Sequence, residues 1–278
     1  MDKIRPFVDK DIIKVIVGQR RVGKSYILLQ LMELIKNKRN GKANIIYVNK
    51  ELNEFEKIKD YRDLLLYVKQ NSKRVKKNYL FIDEIQDIEG FEKALRHLHA
   101  SGGYDIYCTG SNANLLSGEL ATYLSGRHIE IEVFSLSYNE FLTFHKLESG
   151  NDSFLKYIKY GGLPYLINLP LEDQMVYEYL KNIYTTILFK DIINRYNIRN
   201  SAFLEKLAEY LADNVGSLVS AKKISDYLKS QKIKINPNVV LNYLSFLSAA
   251  FLVFKVARAE IIGKKIFESN DKYYFQDL

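Results

Sequence analysis

The stretch GQRRVGKS, residues 18–25, has the spacing G-x-x-x-x-G-K-S, and the chemistry it suits is phosphate binding. Gly18 and Gly23 let the chain turn tightly, and the backbone amides of Gln19, Arg20, Arg21 and Val22 point inward to make an anion nest at a helix N-terminus. Lys24 then reaches the β- and γ-phosphates, and Ser25 offers a hydroxyl to Mg²⁺, which requires oxygen ligands. Tyr26 follows directly and completes the stretch expected at a bound ATP.

A phosphate nest without an acidic partner for the metal would bind but not act. Residues 79–84, YLFIDE, supply the partner. Four apolar residues predict a buried strand, Asp83 at its carboxyl end suits a Mg²⁺ ligand, and Glu84 suits a base that orients or deprotonates the attacking water. The predicted catalytic set is therefore Glu84 and Lys24, with Ser25 and Asp83 on the metal. Asp followed by Glu favours hydrolysis over transfer to a small substrate.

The run YDIYCTGSN, residues 104–112, reads as another strand ending in small polar residues. If it lies beside the phosphate-loop strand, Thr109, Ser111 and Asn112 reach the γ-phosphate, because ligands collect at the carboxyl ends of such strands. Asn112 or Ser111 would equally serve as a cap for a following turn. Arg127 stands nearly alone among positive charges between Arg96 and Lys146. It is expected to act as a charge-stabilising finger, in its own site or a neighbour's, with simple ion pairing as the competing reading.

These residues need a scaffold that alternates strands and helices. Apolar runs predict strands at 14–17, 44–48, 79–82, 105–109 and 128–133, and helical spacing appears at 25–37 and 91–100. The expected fold is α/β, a P-loop NTPase with a parallel sheet and flanking helices, followed by a helical subdomain and a winged-helix domain. The expected limits are 1–145, 146–216 and 217–278. In the last segment a short helix with Ile224, Tyr227 and Leu228 facing inward, a helix opened by Pro237 and a two-stranded ribbon make the winged-helix outline.

The chain has 278 residues, 47% of them hydrophobic, enough for more than one core. Its single cysteine, Cys108, allows neither an intramolecular disulfide nor a Cys-based metal cluster from this chain alone, and the default expectation is cytoplasmic. Cys108 lies in an apolar strand and reads as a core residue. No apolar stretch reaches membrane-spanning length, so no membrane is expected. The net charge of +8 is concentrated in residues 57–77, with eight Lys/Arg against two Asp, and in 217–278, with ten against five acids. The first cluster reads as a solvated helix face.

Taken together, GQRRVGKS, YLFIDEIQDIEGFE, TGSNANLLSGELATYLSGR, SLSYNEFLTF, YGGLP, FKDIINRYNIR and KYYFQD resemble a family of predicted prokaryotic AAA-type ATPases whose C-terminal half is a domain of unknown function. The resemblance covers most of the chain. It implies a P-loop ATPase core, a helical subdomain and a winged helix. Relatives typically continue into a module resembling a restriction-endonuclease fold, expected to be absent here.

The winged-helix outline raises DNA as a partner. The helix at 238–250 would enter the major groove, but its outward positions, Asn238, Asn242 and Ser245, carry no charge. Phosphate contacts would fall to Lys222, Lys223, Lys229, Lys232, Lys234, Arg258, Lys264 and Lys265. Protein docking is the rival use of such a module. The oligomeric state stays open.

Overall fold

The computed structural model describes residues 1–116, 124, 126–230, 232–257 and 271–277. Arg258, Lys264 and Lys265 lie outside the described residues. The chain divides into two compact units, Met1–Gly18 with Val22–Val133, and Gln19–Arg21 with Phe134–Leu278.

In the first unit, β1 (Ile13–Val17), β2 (Asn44–Asn49), β3 (Asn78–Asp83), β4 (Tyr104–Gly110) and β5 (His128–Glu132) form a parallel sheet of order β2-β3-β4-β1-β5. The expected strands all occur, shifted by a residue or so at their ends. Every residue of β1 and β3 is buried, as in strands covered on both faces, whereas the edge strand β2 alternates between buried and half-buried positions. Helix α1 (Lys24–Lys38) follows the phosphate loop directly. Its Leu28, Leu31, Met32 and Ile35, spaced three and four apart, join Ile16, Phe81 and Tyr107 in one apolar core. Helices α2 (Tyr61–Asn71) and α3 (Phe91–Ser101) pack on each other. Asp60 and Asp63 close a capping box at the start of α2.

Lys14, in β1, is fully buried and ion-paired with Asp105 of β4. The backbone N–H of Asp9 and the hydroxyl of Tyr107 also donate to Asp105 Oδ2, at 2.8 and 2.9 Å. Burial pulls the Lys14 ammonium down and Asp105 pulls it back up. This pair sits at the amino end of the strands, opposite the phosphate loop.

The second unit contains α4 (Tyr138–His145), α5 (Asn151–Tyr160), α6 (Asp173–Thr186), a π-helical segment Ile187–Asn194 that continues α6, and α7 (Ser201–Asp213). After these come β6 (Leu218–Val219), α8 (Ala221–Ser230), α9 (Pro237–Ala249), β7 (Val253–Val256) and β8 (Asp271–Phe275); the buried face of α8 is Ile224, Ser225 and Leu228, so Tyr227, expected inward, is instead 59% exposed. The expected ribbon, β7 and β8, is joined by β6 into an antiparallel sheet of order β6-β8-β7. Pro237 stands in the first turn of α9, where its missing N–H costs nothing, and the Asn236 side chain accepts from Asn238 N.

Three of the tracts quoted above meet in this unit. Leu136 N donates to Gly162 O at 2.7 Å, and Gly162 N donates to both carboxylate oxygens of Asp277, at 2.9 and 3.0 Å. A Cβ on Gly162 would lie 2.3 Å from Leu136 O, so only glycine allows this approach.

Candidate phosphate-binding site

The loop after β1 depends on its glycines. Gly18 has φ 150° and Gly23 φ 97°, and a Cβ on Gly18 would stand 2.3 Å from the backbone oxygen of Val133. Arg21 also takes a positive φ, 71°, which a side chain tolerates only when its surroundings hold it there. Gln19, Arg20, Val22 and Lys24 are buried, Gly23 and Ser25 partly so, and Arg21 is exposed. Tyr26 is 73% exposed on the outer face of α1. Arg20 is ion-paired with Asp191, which belongs to the same unit as the loop tip.

Strand β4 lies between β1 and β3, so its carboxyl end separates the loop from the acid pair. Thr109, fully buried there, connects the two acids. Its hydroxyl donates to Asp83 Oδ1 and accepts from the backbone N–H of Glu84 at 3.0 Å. Burial pushes the Asp83 carboxyl above its ordinary range. The Thr109 hydrogen bond and the nearby Ser25 hydroxyl offset this in part, while the Glu84 charge adds to it. Asp83 Oδ2 is buried and, among the described residues, receives no hydrogen bond of acceptable geometry although Ser25 stands beside the carboxylate.

Glu84 turns off the strand at φ 54°, in the left-handed region. Its carboxylate is 4.0 Å from Lys24 Nζ and accepts a hydrogen bond from the side-chain amide of Gln86. The Gln86 amide also lies 3.4 Å from Ser111 Oγ. Thus Lys24, Ser25, Asp83, Glu84, Thr109 and Ser111 converge, and Asn112, buried, follows Ser111 at the end of β4. The register of β1 and β4, Ile16 opposite Thr109 and Val17 opposite Gly110, is the adjacency this convergence needs.

Arg127 is not brought to the site. Its carbonyl accepts from Ile13 N, and β5 runs beside β1 with Ile13 opposite His128 and Val17 opposite Glu132. Arg127 therefore stands at the amino edge of the sheet, roughly 20 Å of strand from the loop at about 3.3 Å per residue, farther than its exposed side chain reaches. Gln86 and Asp191 had no assigned role in the sequence, Gln86 because it reads as the tail of the acid motif and Asp191 because it is distant in the chain. Cys108 is buried, its thiol pushed up to about 12, which suits the core role expected of it.

An open parallel sheet with a phosphate loop after β1 and an acid pair after β3 defines a P-loop protein of the AAA type. Residues 10–142 match the family model of an AAA domain, and residues 151–278 match that of a domain of unknown function, DUF8612. An uncharacterized protein of Haemophilus influenzae is 38% identical over 285 residues, covering 100% of this chain and 70% of that protein. The uncharacterized protein MJ1544 of Methanocaldococcus jannaschii is 35% identical over 277 residues, covering 95% of this chain and 60% of its own length. The chain belongs to the family of the Haemophilus influenzae protein, AAA-domain P-loop proteins with a second domain of unknown function. Among solved structures, that of the Aeropyrum pernix ORC1 protein in complex with DNA aligns with 99% of this chain and 86% of that one, at TM-score 0.44 and 12% identity. That likeness is too loose to bear on function. No helix among the described residues is long and apolar enough to cross a membrane.

Proposed function

We propose that the chain is an ATPase that hydrolyses MgATP and couples the cycle to a macromolecular partner. The observation that carries this reading is the buried, hydrogen-bond-poor Oδ2 of Asp83 beside Ser25, with Lys24 and Glu84 4.0 Å apart next to it. A buried carboxylate oxygen left in that state fits a cation better than it fits an apolar wall. Ser25 and Asp83 would hold Mg²⁺, which supplies charge neutralisation across the β- and γ-phosphates.

The loop amides of residues 18–25 and Lys24 bind the triphosphate. Glu84 accepts the proton of a water that attacks the γ-phosphorus, the bond to the bridging oxygen breaks, and ADP and phosphate leave. Ser111 and Asn112 sense the γ-phosphate from the end of β4. Arg127 keeps the role of a charge-stabilising finger in this reading, and its distance from its own loop supports action at a neighbouring copy's site. Tyr26 closes the loop stretch proposed to bind the nucleotide and is exposed.

In domain terms the reading is an ATPase core over 1–145, a helical subdomain over 146–216 and a winged helix over 217–278. Lys222, Lys223, Lys229, Lys232 and Lys234 are all exposed along α8 and the turn after it, as sequence-independent contacts to a DNA backbone require. Asn238, Asn242 and Ser245 are exposed on α9, but so are Val239 and Leu241, which would suit a protein surface.

A second reading keeps the same site as a nucleotide-gated switch with little hydrolysis. Steady-state turnover of wild type beside Glu84→Gln, with duplex DNA titrated at low and higher salt, separates the cases. Glu84-dependent turnover establishes the ATPase, and salt-sensitive stimulation establishes DNA as partner. Tight ATP binding without turnover establishes the switch, and absence of ATP binding sinks both.

A further inference from the structure

The tract FKDIINRYNIR, residues 189–199, helps carry the family likeness but has no task in the function above. Its Asp191 is 1% exposed and accepts from Arg20 Nε at 2.9 Å through Oδ2 and from Arg20 Nη2 at 2.8 Å through Oδ1. Arg20 is itself 8% exposed and is the third residue of the phosphate loop. A bidentate guanidinium–carboxylate pair fixes both direction and distance, which a single hydrogen bond does not. The next residue, Arg21, is held at φ 71°, so the loop tip is constrained at the point where the pair grips it.

The other partner lies in the π-helical segment Ile187–Asn194. π-Helical turns are rare, accommodate a residue more than an α-turn, and collect at functional sites. Arg20 and Asp191 belong to the same unit, so the pair is a contact within it.

We propose that Asp191 is a positioning residue for nucleotide binding: through Arg20 it holds the phosphate loop in shape, and it ties nucleotide occupancy to the π-helical segment Ile187–Asn194. This rests on the reading of the loop as the ATP site. Linkage makes the tie reciprocal: if the segment's state changes affinity for nucleotide, nucleotide changes the stability of the segment by the same factor.

The test is titration of the full chain with a fluorescent ATP analogue and Mg²⁺, using wild type, Arg20→Ala, Asp191→Ala and the double variant, with hydrogen exchange followed over 187–194. Each single variant should weaken binding about tenfold. The double variant should be no weaker than the worse single, because the two residues act as one device. Nucleotide should slow exchange over 187–194 in wild type and leave it unchanged in the variants. Should a single variant fail to fold, the double, which leaves no unpaired buried charge, carries the test alone: weakened binding and a lost exchange response are expected. Wild-type affinity in Asp191→Ala or in the double, additive losses, or exchange indifferent to bound nucleotide would overturn the proposal. Wild type that fails to bind the analogue would instead overturn the ATP-site reading, and the positioning role with it.

Discussion

The side-chain amide of Gln86 donates to the Glu84 carboxylate, two residues away across a sharp turn. The geometry is local but unusual, since Glu84 must take φ 54° for the two side chains to meet. A Cβ on Gly110 would lie 1.7 Å from Leu115 Cδ1 and 2.8 Å from Gln86 Oε1, so the glycine that ends β4 leaves room for both side chains.

Removing this amide should misplace the base without touching the phosphate loop. Gln86→Ala is expected to lower kcat about ten- to a hundredfold with nucleotide affinity unchanged. Gln86→Glu should act differently, because a second carboxylate disfavours ionisation of the first, and the acid limb of the rate profile should move to higher pH. Single-turnover rates across pH check both.

Lys24→Ala should abolish ATP binding, since the loop then lacks its charge for the β- and γ-phosphates. Glu84→Gln should bind normally and lose about 10²- to 10⁴-fold in turnover, the usual worth of a general base. Calorimetric binding beside phosphate release separates the two. Normal turnover by Glu84→Gln would mean that the base lies elsewhere.

Asp83 gives a prediction about stability. Its folded pKa is raised by burial, so the folded state binds the proton more tightly than the unfolded chain, and its charge costs stability as pH rises above the unfolded value near 3.8. That cost is full above the raised folded pKa and shrinks as pH falls back toward the unfolded value. Asp83→Asn should therefore raise the Tm of the nucleotide-free protein by a few degrees at pH 7 and lose Mg²⁺-dependent tightening of ATP binding. Thermal melts with and without MgATP read both effects.

Asp9 should behave in the opposite sense. Burial alone would raise its pKa, but hydrogen bonds from Tyr79, Lys38 and Arg39 outweigh this and hold it well below the usual carboxylate range. Its contribution is present above the unfolded value near 3.8 and is lost as pH falls through the lowered folded value. Asp9→Asn should cost about 1–3 kcal/mol at pH 7 and progressively less in acid. Urea midpoints at pH 7 and pH 3 test it.

Gly162→Ala should destabilise the second unit by about 2 kcal/mol or more, since its new methyl group would meet the backbone of Leu136, which cannot rotate away. Denaturant unfolding measures this, and a neutral effect would mean that the backbone at Leu136 yields.

Much of the first unit was legible in the chain because its signals are local. The apolar runs behind β1 to β5, the glycine spacing of the loop and the acids after Ile82 each occupy a few consecutive residues. The β1–β4 adjacency on which Ser111 depends had only the status of a condition. The position of Arg127 was not legible, because it follows from the register of β5 on β1 and not from anything near Arg127. Strand β6, two residues long, offers no periodicity to read. Asp191 lies 171 residues from Arg20, and Gln86 needs a positive φ at Glu84 that no residue type announces.

The Thr109 hydroxyl faces Asp83 with its proton and the Glu84 amide with its lone pair. One small group thus sets the spacing between the acid meant for metal and the acid meant for water. A chain with serine there retains the spacer, whereas one with valine forfeits both attachments at once. The two halves of the chemistry are geared together at that atom, so natural variation there should be all or nothing, never a graded compromise between holding nucleotide and consuming it.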